Sequence, residues 1–289
     1  MTPWMERSSF IGRWSLRMGM ALLAVVMLFP FVYVLAVSLS SPQDVSNSLI
    51  IFPSHASLAA FNWVLTQTNA VQGLEVSAFL VIVGTAINML MTITMAYGLS
   101  RSDVPGSKII LWLVLLTLLI APTIITKYLV VRQLHLIDTI WSLILPGAIA
   151  PFNLIVLRQF FLGIPRELIE SAELDGAGEF RILWHIVLPL SKASLAVIAL
   201  FYAVAQWNNF FDAVLFINSP QLEPIALVLR EIVLQGNVSQ NNLTASEFMP
   251  PSLAVQMAVV VIATIPILVV YPFLQKYFTK GVLTGSIKG

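Results

Sequence analysis

Six stretches of the chain stay apolar for about twenty residues, the length a helix needs to cross a hydrocarbon core about 30 Å thick. They run from Gly19 to Leu39, Val76 to Leu99, Ile109 to Thr126, Thr139 to Phe161, Ala193 to Phe216 and Leu253 to Phe273. Between them the chain is mostly polar or rich in Pro and Gly. This pattern predicts an all-α polytopic membrane protein of six transmembrane helices, a single transmembrane domain over residues 1–289. The first run follows Arg7, Arg13 and Arg17, as a signal peptide would. Its apolar part exceeds that of a signal and lacks a convincing small-x-small cleavage site, so a retained span is expected.

Composition agrees: 58% of the residues are hydrophobic and 10% charged, where a soluble domain carries about a quarter charged. Fifteen basic and fourteen acidic residues leave a net charge of +1, so no global field points to nucleic acid. The absence of cysteine removes thiol chemistry and disulfides, and the three histidines, at 55, 135 and 185, are too scattered to suggest a metal cluster.

Placement of charge says more than its sum. If all six runs cross, Arg7, Arg13, Arg17, Arg101, Lys108, Arg158, Arg166, Arg181, Lys192, Lys276, Lys280 and Lys288 share one side, and only Lys127, Arg132 and Arg230 the other. The positive-inside rule then puts both termini in the cytoplasm. The segments Ser40 to Glu75 and Ile217 to Ser252 belong outside, the second a long loop for which a role is expected. Lys127 and Arg132, exceptions to the bias, are expected to neutralise Asp138; receiving acids from a partner or drawing in an anionic solute are the other readings.

The loop of residues 163–189, between the fourth and fifth runs, is too densely charged for a bilayer. Pro165 in a first turn, Glu167 and Glu170 near the positive helix end, and Gly176 and Gly178 after it predict a short helix of about three turns. Leu168, Ala172 and Asp175 recur at helical spacing beside Ile169 and Glu173, a small and apolar face next to an acidic one. Such a helix suits a groove on a partner. An amphipathic connector lying on lipid headgroups is the alternative, though acids suit an anionic leaflet poorly.

Glu170, Ala172, Gly176, Ile186, Leu188 and Pro189 fall in register with the EAA signature of ABC importer permeases, with Ser171 in place of its first alanine. Gln206-Trp207-Asn208-Asn209-Phe210-Phe211 and the ending Lys276 to Gly289 resemble the carbohydrate branch. The chain is similar there to the second permease of maltose-type and oligosaccharide or alginate-type importers. The resemblance implies a coupling helix in which Glu170, Ser171, Ala172, Asp175 and Gly176, with Ile186, Leu188 and Pro189, engage an ATPase. It also implies a second permease, two ATP-binding cassette ATPase subunits, an extracytoplasmic solute-binding protein, a carbohydrate substrate and a bacterial cytoplasmic membrane.

No Gly-x-x-x-x-Gly-Lys-Ser/Thr occurs, so no cofactor is expected in this chain, and ATP and Mg would be used by the partner ATPases. For the substrate pathway the polar residues of the fifth run stand out: Gln206, Asn208, Asn209 and Asp212. At about 100° per residue Asn208 and Asp212 share a face, with Asn209 adjacent, and Trp207 and Phe211, four apart, would offer an aromatic surface to a sugar ring. The plainer reading is amides that glue helices at about 0.6–2 kcal/mol each, and aromatics that fill core. Asn153 and Asn88 are further candidates. Gly236 and Asn237 mark the tip of the outer loop, which the resemblance would send into the binding protein. An ion-coupled carrier, for which Asp212 is the only acid well inside a run, and a non-transporting scaffold are the rival functions. Prolines 122, 146, 151, 266 and 272 are expected to bend helices.

Overall fold

The computed structural model describes residues 10–41, 55–101, 103–120, 122–235 and 253–285. Among these no β-strand forms, and the one bridge, Ser40 to Ala56, is isolated. In chain order the principal helices are α1 (Phe10–Ser38), α2 (Ala59–Gln67), α3 (Ala70–Ser100), α4 (Ser107–Leu119), α5 (Ile124–Gln133), α6 (Trp141–Gly147), α7 (Pro151–Leu162), α8 (Arg166–Leu174), α9 (Glu179–Leu190), α10 (Lys192–Trp207), α11 (Phe211–Phe216), α12 (Ile225–Arg230) and α13 (Leu253–Gly285). By length and composition α1 and α3 are each able to cross a membrane alone.

Three of the six apolar runs are broken, each for a local reason. The run 109–126 ends as helix at Leu119, because Pro122 has no N–H to continue the ladder. Thr123 then caps a new helix, its hydroxyl accepting the Thr126 N–H at 3.3 Å. The run 139–161 bends by 50° between α6 and α7, where Pro146, Gly147 and Pro151 interrupt it. The run 193–216 stops at Trp207 and resumes at Phe211. There Asn208 sends both its backbone N–H, at 3.0 Å, and its side-chain amide, at 2.9 Å, to the Val204 carbonyl. A short side chain competing for the backbone in this way ends a helix. The other runs are longer as helices than as apolar stretches: α1 begins at Phe10 and α13 reaches Gly285.

By contacts the chain divides into two compact units, one of residues 1–68 and 231–264, the other of 69–230 and 265–289. In the first, α1 is exposed on nearly every face, Met18, Leu22, Val25 and Phe29 among its exposed residues. Its end is tied down where Ser57 N–H reaches the Leu39 carbonyl at 2.7 Å, and α2 buries Ala60 and Val64.

Among its described residues the second unit holds two cores. One gathers Ala96, Tyr97 and Leu99 of α3, Leu154, Leu157 and Phe161 of α7, Ile182, Leu183 and Val187 of α9, and Ile198 and Tyr202 of α10. The other joins Val76 and Leu80 of α3 with Val131 of α5, Leu143 and Ile144 of α6, and Ala213 and Phe216 of α11. Lipid tails are as apolar as these side chains, so packing and polar ties rather than water exclusion hold such helices together. One tie is the Tyr202 hydroxyl, 2.6 Å from the Thr92 hydroxyl and accepting the Ala150 N–H at 2.9 Å. Another is Gly73, where a Cβ would lie 3.2 Å from the Ile225 backbone, so α3 and α12 pack at close range.

Candidate functional site

The cytoplasmic loop expected from the sequence is two helices, α8 and α9, divided by a tight turn. Pro165 stands at the N-cap of α8 rather than in its first turn, with Glu167 in that turn. At the other end Ala177 N–H reaches the Ala172 carbonyl at 2.9 Å and Gly176 N–H that of Glu173 at 3.0 Å. This paired closure needs a left-handed residue, and Gly176 supplies it with φ +78. A Cβ there would meet nothing within 4 Å, so the glycine serves backbone conformation rather than packing. No residue of α8 is buried. Glu170, Ser171 and Asp175 are exposed and Leu174 is 89% exposed. Ala172, Ile186 and Leu188 instead pack partly against the first core, and Pro189 is exposed.

Sequence reasoning missed what holds this loop. Arg101 follows the last residue of α3, and its guanidinium reaches Glu173 of α8 and, at 2.6 Å, Glu179 of α9. The Tyr97 hydroxyl donates to the other oxygen of Glu179. With its side chain only 16% exposed, Arg101 loses some hydration. Burial works against its charge, yet the hydrogen bond to Glu173 and the charge of Glu179 outweigh that and hold its pKa above the ordinary value. A cavity of about 480 Å³ opens beside this cluster, with Arg166 and Glu170 also on its wall. The signal available beforehand was topological: the orientation put Arg101 on the same side as the acids of the loop, without pairing them.

The polar residues of the fifth run do not form the face expected of them. Because the helix is interrupted at 208–210, Asn208 and Asp212 are not successive turns of one helix, nor are Trp207 and Phe211. Asn208 is exposed but its amide caps Val204; Asn209 donates to the Leu143 carbonyl at 3.1 Å. That bond joins the interruption of the fifth run to α6 of the fourth. Gln206 is 4% exposed and lies against Gly84, while Asn88 and Asn153 are 1% and 6% exposed. The side-chain oxygens of Asn88 and Gln206 have no hydrogen-bond partner. Gly236 and Asn237 lie outside the described residues.

Lys127 does not neutralise Asp138. Its ammonium lies 2.6 Å from Asp212, with side chains 30% and 19% exposed, and 5.8 Å from the centre of the Phe216 ring. Asp138 is satisfied elsewhere: it accepts the N–H groups of Asn218 at 2.9 Å and Ser219 at 2.8 Å and the Ser219 hydroxyl at 2.6 Å. Those bonds hold its carboxyl below the ordinary carboxylate range. A carboxylate so well supplied with donors has no need of a lysine, whereas Asp212 beside apolar helices does. Asp212, the acid on which an ion-coupled carrier would depend, is thereby committed to a cation.

The family of binding-protein-dependent transport system inner membrane components matches residues 88–284, a stretch that includes α8, α9 and all three broken runs. The chain belongs to that family. This permease is 45% identical over 266 residues to protein LplC of Bacillus subtilis, covering 91% of this chain and 90% of that one. It is 43% identical over 269 residues to the polygalacturonan/rhamnogalacturonan transport system permease protein YtcP of Bacillus subtilis, covering 92% and 94%. Its structure resembles that of a chain of a bacterial ABC transporter involved in the import of the acidic polysaccharide alginate. The TM-score is 0.86 and the identity 27%, over 96% of this permease and 100% of that chain. It is an all-helical ABC importer permease, a membrane subunit that works by transport.

Proposed function

We propose that this permease, as one transmembrane domain of six spans with both termini in the cytoplasm, passes an oligosaccharide from an extracytoplasmic solute-binding protein into the bacterial cytoplasm. It pairs with a second permease and two ATPase subunits, which bind and hydrolyse ATP with Mg. Relatives named for polygalacturonan/rhamnogalacturonan transport and for alginate import support the sugar class. The chain itself has no phosphate-binding loop, so the energy enters through α8.

One observation carries the coupling role. An acidic helix stands clear of the core on its outer face while Arg101 ties it directly to the end of α3. Closure of the ATPases would move α8, and Arg101 would hand that displacement to a helix long enough to span the bilayer. Glu170, Ser171 and Asp175 meet the ATPase; Ala172, Ile186 and Leu188 seat the loop on the permease. The broken runs, with Asn208, Asn209 and Asp212 at one interruption, border the sugar pathway, and Gly236 and Asn237 face the binding protein.

ATP-dependent accumulation of a labelled oligosaccharide by proteoliposomes holding all subunits tests this. Gly176→Pro, which cannot take a positive φ, should abolish uptake and ATPase association while the subunit stays in the membrane. Uptake that follows an ion gradient and ignores ATP would overturn the reading.

A further inference from the structure

The loop that carries the coupling helix also holds a helix of opposite chemistry. α9 turns through 86° from α10. If α10 crosses the bilayer, α9 lies along its surface. One side of α9 is sunk in the first core through Ile182, Leu183 and Val187. The other side presents Phe180, 76% exposed, and Trp184, 53% exposed, one helical turn apart with ring centres 6.1 Å from each other. Arg181 and His185 stand beside them, also exposed, and Lys192 follows at the start of α10.

The charge on this side is positive. The acid at the head of the helix, Glu179, is held by Arg101 and Tyr97. Neither Arg181 nor Lys192 forms an ion pair among the described residues. The acids Glu167, Glu170 and Glu173 belong to α8, on the far side of the Gly176 turn. An acidic helix and an aromatic, basic helix thus follow one another in a single loop, and the two faces cannot suit the same partner.

We propose that the exposed face of α9 is seated on the cytoplasmic surface of the bilayer, and that its ligand is anionic phospholipid. Phe180 and Trp184 enter the boundary between headgroups and acyl chains, where aromatic rings concentrate. Arg181 and Lys192 meet the headgroup phosphates, each worth a few-fold in affinity for an anionic surface. This rests on the cytoplasmic placement of the loop proposed above. α9 then has the geometry of an interfacial helix: an apolar stripe, flanking cations and an axis in the membrane plane. The lipid holds one end of the loop while the ATPase moves the other, and Arg101 joins both to α3.

The test uses the complete importer in nanodiscs of phosphatidylcholine and phosphatidylglycerol, with chain-brominated lipids that quench tryptophan. This chain has seven tryptophans, so Trp184 is read as the difference between the parent and Trp184→Phe. The parent should lose more fluorescence than Trp184→Phe when bromine lies near the headgroup end of the acyl chain. Equal fractional quenching in both would mean that protein, an ATPase or the second permease, covers this face, and would overturn the proposal. In a second arm, Arg181→Gln with Lys192→Gln should reduce the stimulation of uptake by phosphatidylglycerol by roughly threefold to tenfold. Unchanged stimulation, or an equal loss of uptake in every lipid, would also count against it. Quenching needs no transport, so an inactive importer would tell against the proposed function and leave the lipid contact readable.

Discussion

Arg101 is the residue on which most of the loop depends. Replacing it by Ala leaves Glu173 and Glu179 facing each other without a cation, so the expected result is a loop that still docks an ATPase but no longer moves α3. Uptake by proteoliposomes should fall about tenfold or more while basal ATP hydrolysis persists; Arg101→Lys, which keeps one charge but not the fork, should fall between. Lys127 and Asp212 invite a double-mutant cycle. Lys127→Met and Asp212→Asn each strand a partly buried charge, and thermal melting should register a coupling energy of about 1–3 kcal/mol between them. Asp138 sets a pH limit instead. Its folded pKa is depressed below the ordinary value of 3.8, so its contribution is full above that value and is lost as pH falls through the lower folded one. Asp138→Asn keeps a residue tolerant of φ +59 and should flatten the acid limb of a plot of melting temperature against pH.

At the scale of elements, the close approach of α3 to α12 is sensitive to one methyl group. Gly73→Ala would place a Cβ 3.1 Å from Val228 and 3.2 Å from the Ile225 backbone, and a loss of about 1–3 kcal/mol in thermal or denaturant unfolding is expected. The helical class and the loop with its Gly176 turn were legible in the sequence, because runs of apolar residues and a glycine after an acidic stretch carry their meaning locally. The breaks were only half legible. Pro122, Pro146 and Pro151 announce a bend, but nothing in the composition of 193–216 says that Asn208 will turn its amide back on Val204. Hydropathy sees a continuous span there, since a capping bond leaves mean hydropathy unchanged. The ties of Arg101 were legible only as far as its side of the membrane: Arg101 and Glu173 are seventy-two residues apart, and their meeting follows only from how α3 and α8 are packed.

For the molecule as a whole, the family implies partner subunits in general; the acidic face of α8 stands bare, while the exposed apolar surface of α1 suits a bilayer. The subunit's interior is held by close packing and a few polar ties rather than by water exclusion. The Tyr202 hydroxyl is the one with the widest reach. It stands where a soluble protein would trap a water molecule, bonded at once to Thr92 and to the N–H of Ala150, just before Pro151 opens α7. A bound water exchanges; a phenol on a buried ring does not. The start of α7 is therefore tied to α3 and α10 by a bond that no exchangeable water mediates, and a hinge at the bend between α6 and α7 would turn about that point.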